Sequence, residues 1–134
     1  MFCDGSFISD SSPASYGITI ANSQGHVYDG KTETFLCSHP IQAEAFGLLN
    51  AIRVASQDNI PTCISTDCRC FSLRCIRNPR HGLGCVGLPL RRWFRVEFVP
   101  RRLNRLANWE ARHARVGSLP VDWILIVNII APLL

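Results

Sequence analysis

Lysine is almost missing from this chain of 134 residues: Lys31 stands alone beside thirteen arginines. Methionine occurs once and only 18% of the residues are charged. The longest apolar stretch, Val121 to Leu134, falls short of the roughly 18–20 residues that cross a bilayer and is interrupted by Asp122, Asn128 and Pro132. Met1-Phe2-Cys3-Asp4-Gly5 has neither the basic start nor the apolar core of a secretory leader. No internal repeat and no collagen-like, Ser/Gly-rich or homopolymeric tract occurs. Fibrous and repeat architectures are thereby excluded, and the apolar run reads as a packing segment rather than a helix that crosses a bilayer. Seven cysteines, an odd count behind no leader, predict a reduced intracellular setting, nucleus and cytoplasm not being distinguished, with no role at a membrane.

Apolar residues make up 47% of the chain, enough to offset the entropy of ordering one compact domain. The expected division is a domain over residues 1–116 and an apolar tail over 117–134 that packs on it. Charge is split along the sequence. Residues 1–66 set Lys31 and Arg53 against six acids, a balance of −4, whereas residues 67–115 set twelve arginines against Asp67, Glu97 and Glu110, a balance of +9. The planar fork of arginine donors suits phosphate oxygens, so a phosphate-rich partner competes with a merely solvated basic face.

β-prone runs at Phe2–Ile8, Ala14–Ala21 and His26–Phe35, the last two separated by the turn-forming Asn22-Ser23-Gln24-Gly25, predict three antiparallel strands. Ser38 followed by Pro40 signals a helix start, after which Ile41, Ala45, Leu48, Leu49, Ile52 and Ala55 recur at helical spacing. A strand over 60–66, a helix over 68–76, a Gly/Pro-rich loop over 78–90, a strand over 95–99 and a basic helix over 101–115 complete the pattern. The order βββαβαβα predicts an α/β fold with a mixed five-stranded sheet, three antiparallel strands then parallel ones, flanked by helices.

Three acids sit where a surface acid would not. Asp4 interrupts the first strand, Glu44 borders the apolar stripe of the long helix, and Asp67 follows directly on Cys63-Ile64-Ser65-Thr66. Each has an ordinary explanation: an Asx turn, a stripe-flanking residue, a helix cap. Together they offer three hard oxygen ligands, and burying unpaired carboxylates costs several kcal/mol unless a cation or proton neutralises them, which invites Mg2+ or Mn2+. Cys68, Cys70, Cys75 and Cys85 with His81 match no tight zinc spacing and read as small buried hydrophobes. Trp93, Trp109 and Trp123 read as packing residues before base-stacking ones.

Asp4-Gly5-Ser6, Ala43-Glu44-Ala45, Ser65-Thr66-Asp67 and the run Pro100-Arg101-Arg102-Leu103-Asn104-Arg105-Leu106-Ala107-Asn108, in this order, resemble the type 1 ribonuclease H domain. The likeness is to its short form in plant proteins and plant non-LTR retrotransposons. The resemblance implies an RNase H-like fold and a divalent-metal-dependent endonuclease that hydrolyses the RNA strand of RNA–DNA hybrids. Its partner would be the hybrid, its cofactor Mg2+ or Mn2+, with no small-molecule cofactor and a monomeric state. Asp4, Glu44 and Asp67 match the family's first three metal-binding acids. Asn108 stands at the fourth, where the family carries Asp. Gly5 and Ser6 match the approach to the substrate backbone, and Arg101, Arg102, Arg105 and Arg112 are placed to meet phosphates. Phe98-Val99-Pro100-Arg101 has no His before the last helix, and only three residues precede Asp4, which shortens the first strand. The lost fourth charge opens a second function: a catalytically weakened or inactive nucleic-acid-binding relic of a retrotransposon domain.

Overall fold

The computed structural model describes residues 1–57, 62–71 and 94–130. Strands β1 (Phe2–Ser6), β2 (Ala14–Ala21) and β3 (Val27–Phe35) precede helix α1 (Pro40–Gln57) and strands β4 (Thr62–Thr66) and β5 (Phe94–Phe98). A single 3-10 turn (Arg101–Leu103), helix α2 (Arg105–Arg115) and helix α3 (Trp123–Ile130) follow. The five strands form one sheet in the order β3-β2-β1-β4-β5. β1 pairs antiparallel with β2 and parallel with β4, and β4 pairs parallel with β5. The mixed sheet is the one the sequence pattern predicts.

Period-two alternation on β2 sorts its side chains between two layers. Tyr16, Ile18 and Ile20 enter a core with Cys3, Leu48, Ala51, Ile52 and Ile64, where each large aliphatic side chain contributes about 1.5–3 kcal/mol by leaving water. Ser15, Gly17 and Thr19 face α2 instead: Ser15 Oγ donates to the Ala111 carbonyl and Thr19 Oγ1 to Glu110 Oε2 at 2.9 Å. A Cβ on Gly17 would stand 2.6 Å from the Ala107 carbonyl oxygen and 2.7 Å from the Ala111 nitrogen. The helix backbone therefore rests almost directly on the strand. Gly17→Ala should push α2 away at a cost of about 1–3 kcal/mol, read as a drop of several degrees in Tm, and an unchanged Tm would contradict this packing.

Several boundaries differ from the sequence pattern for identifiable reasons. β1 stops at Ser6 because Ser9-Asp10-Ser11-Ser12 closes a turn, with the Ser12 N–H on the Ser9 carbonyl. Ile41 is exposed, since the stripe that meets the sheet is Ala43, Gly47, Leu48, Ala51, Ile52 and Ala55, whose small residues let α1 lie close to β1. His39 rather than Ser38 serves the start of α1: its Nδ1 accepts from the Ile41 N–H at 3.2 Å, while Ser38 bonds to the Gln42 side chain. The basic helix does not run unbroken from residue 101, because a 3-10 turn ends at Asn104 (φ −105°, ψ 20°) and α2 begins after it. Residues 69–71 open a helical turn with the Phe71 N–H on the Cys68 carbonyl; the remainder of the expected helix over 68–76 and the loop over 78–90 lie outside the described residues.

α3 packs against β3. Asn128 Oδ1 accepts from the Val27 N–H at 3.0 Å and its Nδ2 donates to the Val27 carbonyl at 2.7 Å, so one side chain satisfies both backbone groups of an edge residue. The Trp123 ring fills the space where a Gly30 side chain would stand. Among the described residues no helix is long and apolar enough to cross a membrane.

Candidate metal centre

Parallel pairing of β1 with β4 sets Phe2 opposite Ser65 and Cys3 opposite Thr66, which brings Asp4 and Asp67 together at one end of the sheet. α1 delivers Glu44 to the same point because Gly5 leaves room: a Cβ there would lie 2.5 Å from both the Ala43 carbonyl carbon and the Glu44 nitrogen. One oxygen from each of Asp4, Glu44 and Asp67 lies within 4.8 Å of the others. Among the described residues this is the single group of three or more His, Cys, Asp or Glu side chains so arranged.

Three amides donate hydrogen bonds to these acids. Asn108 Nδ2 donates to Asp4 Oδ2 at 2.6 Å, the Gly5 N–H to Glu44 Oε2 at 3.2 Å, and Asn104 Nδ2 to Asp67 Oδ1 at 3.2 Å. Amides leave the negative charge in place. Burial raises the Asp4 carboxyl well above its usual range and the Glu44 charge adds to this, opposed by the Asn108 amide. Burial raises Glu44 as well, with the Asp67 charge second, while the Gly5 N–H and Arg101 pull it back. Clustered carboxylates that take up protons for want of a counter-charge, all of them hard oxygen donors, fit a divalent cation of the Mg2+ or Mn2+ type.

Asn108 thus reaches the site from α2, with its nitrogen turned to Asp4. Asn104, which the sequence pattern does not single out, is fully buried and also donates to the Cys3 carbonyl at 2.9 Å, tying β1 to the residue after β4. Its Oδ1 is buried without a partner. Its signal in the sequence is the spacing of four residues to Asn108, which places both amides on one side of the helix start. Ser6 is buried and accepts from Arg115 Nε at 2.9 Å. Arg101, Arg102, Arg105 and Arg112 are exposed and lie along one strip beside Asn108.

Among the described residues, none of the other candidates joins the acid cluster itself. Burial pushes the Cys68 thiol up to about 11, which keeps it protonated and disfavours a nucleophilic role. Cys75, His81, Cys85 and Trp93 lie outside the described residues. Trp123 packs on β3, whereas Trp109 is half-buried and lines a surface cleft with His113, a residue without an evident role in the sequence.

A family model described as "Reverse transcriptase-like" matches residues 2–70. RNase H1 from the halophilic archaeon Halobacterium salinarum is similar in structure, with 19% identity, a TM-score of 0.66, and coverage of 87% of this chain and 96% of that one. The N-terminal RNase H domain of a Mycobacterium tuberculosis protein aligns at 20% identity and a TM-score of 0.66, covering 87% and 91%. LC11-RNase H1 in complex with an RNA/DNA hybrid aligns at 14% identity and a TM-score of 0.63, covering 89% and 97%. The fold is that of RNase H. No curated protein sequence matches the chain.

Proposed function

The chain belongs to the reverse-transcriptase-like family, and from that premise we propose that it is a divalent-metal-dependent ribonuclease that hydrolyses the RNA strand of RNA–DNA hybrids. The observation that carries this reading is the meeting of Asp4, Glu44 and Asp67 within 4.8 Å on an RNase H fold. The hybrid bound by LC11-RNase H1 supports the substrate class.

Asp4, Glu44 and Asp67 would hold the metal, with Asn108 at the fourth position and Mg2+ or Mn2+ as the ion. When bound, such an ion polarises a phosphoryl oxygen and lowers the pKa of water. The protein groups orient what surrounds it. The Gly5 N–H fixes Glu44, Asn104 fixes Asp67, and the substrate backbone would approach along Gly5 and Ser6 at the end of β1. Arg101, Arg102, Arg105 and Arg112 would hold phosphates, so binding should weaken steeply with salt, by roughly one power of concentration per phosphate contact.

Asn108 favours a second reading, a nucleic-acid-binding domain with weakened or lost catalysis, because a neutral amide supplies no charge to a metal site. One assay separates the two. Purified protein with a labelled hybrid and Mg2+ or Mn2+ should cleave the RNA strand, and Glu44→Gln should lower the rate at least a hundredfold. Salt-dependent binding of hybrid without cleavage favours the second reading, and absence of both overturns the two together.

A further inference from the structure

We infer that the outer face of α2 carries a second nucleic-acid subsite, a groove that holds an unpaired nucleotide flanking the hybrid, its base on the Trp109–His113 ring pair and its phosphate on Arg112 and Arg115. The inference rests on the function proposed above and deepens it.

A cleft of about 510 Å3 is lined by Arg105, Asn108, Trp109, Arg112, His113 and Arg115. Its size suits a small organic ligand. A second cleft of about 370 Å3, lined by Arg101, Arg102, Arg105 and Asn108, shares two of these residues. The basic strip is thus continuous and passes the acid cluster at Asn108, whose amide touches Asp4.

Charge identifies the occupant as a polyanion. Five arginines fall between residues 101 and 115, and the one acid among them, Glu110, is fully buried against Thr19 on the opposite side of α2. No carboxylate on this helix competes for Arg112 and Arg115 at the surface. Arg115 uses Nε on Ser6, which anchors the guanidinium beside β1, and its two terminal nitrogens have no partner among the described residues. That leaves donors for phosphate oxygens in the fork geometry they suit.

The rings narrow the ligand further. Trp109 and His113 lie four residues apart with ring centroids 4.3 Å apart and planes inclined by 33°. His113 Nδ1–H donates to the Trp109 carbonyl at 2.9 Å, which pins the imidazole and makes the pair a fixed platform. A paired base is already stacked in its duplex, so an aromatic surface beside arginines recognises a base that has left it.

The test compares affinities in EDTA, where no cleavage intervenes, for a blunt RNA–DNA hybrid and for hybrids with a four-nucleotide single-stranded DNA tail at either end. A tail at one end should tighten binding at least fivefold. An abasic tail with the same phosphates should lose most of that gain. In Trp109→Ala and in His113→Ala the ratio of tailed to blunt affinity should fall towards one, and Trp109→Phe should restore part of it. Should Trp109→Ala fail to fold, His113→Ala and the abasic tail decide alone. Equal affinities for blunt and tailed hybrids, or a gain that the abasic tail keeps in full, overturn the subsite and leave the hybrid nuclease standing. Binding of the single-stranded DNA tail alone that Trp109→Ala and His113→Ala abolish, with neither hybrid binding nor hybrid cleavage, overturns the nuclease and keeps the groove as a site for an unpaired nucleotide.

Discussion

Asn108→Asp is expected to raise the affinity for Mg2+ or Mn2+ about tenfold or more, to raise cleavage of an RNA–DNA hybrid at subsaturating metal by at least that factor, and to destabilise the metal-free protein. All three effects come from one contact. Asn108 Nδ2 donates to Asp4 Oδ2 at 2.6 Å, which favours the ionised Asp4 inside a cluster that burial and Glu44 already push toward protonation. A carboxylate in that place removes the donor and sets a fourth negative group against three. Without metal, two carboxyl groups in such contact share a proton or separate, because both cannot ionise at that distance. With metal, the added charge becomes a ligand and the repulsion becomes binding energy. Calorimetry gives the affinity, and thermal melting with and without metal gives the stability; at a metal concentration one hundred times Kd, binding adds about 2.7 kcal/mol. Greater affinity without greater cleavage would separate metal binding from catalysis and favour the binding-domain reading. Unchanged affinity would show that position 108 does not face the ion.

The three acids are legible in the sequence because each violates the pattern around it: a carboxylate within a strand, beside an apolar helical stripe, or directly after a buried strand is costly, and cost is visible without coordinates. The amides that hold them are not. Asn104 sits among arginines, which is how a solvated helix face reads, and only the approach of α2 to β1 buries it against Cys3 and Asp67. Ile41 errs the other way. It fits the helical period, yet the depth of α1 against β1 is set by Ala43, Gly47 and Gly5, so the apolar face turns toward the small residues and Ile41 is left outside. Size matters there more than hydropathy. Glu110 likewise counts as one more acid in a basic segment until Gly17 allows α2 to sit on β2 and seal it. Single-element patterns report which face is buried on average; close approaches between elements depend on pairs of residues far apart in the chain.

Sealed in that way, Glu110 makes the metal-free protein less stable as the pH rises, the reverse of ordinary acid denaturation. Its Oε2 accepts from Thr19, its Oε1 has no partner, and no part of it meets solvent. Burial pushes its pKa from 4.5 up to about 9, the Asp29 charge adds to this, and the Thr19 hydroxyl opposes it. The folded chain therefore binds this proton more tightly than the unfolded one does. The contribution is complete below about 4.5 and is lost as the pH climbs towards 9, at up to ~1.4 kcal/mol per pH unit for one proton. Asp4 and Glu44, raised by burial, slope in the same direction until a divalent ion binds their ionised forms. Urea unfolding in EDTA should accordingly show stability falling between pH 5 and pH 8.5. Glu110→Gln keeps an oxygen for Thr19 and carries no ionisable proton, so it should flatten the curve and exceed the parent in stability at pH 8.5 while remaining close to it at pH 5. Saturating Mg2+ should remove the part of the slope that Glu110→Gln leaves. Parallel curves for parent and variant would mean that Glu110 is ionised where it lies, and that α2 yields enough to let water reach it.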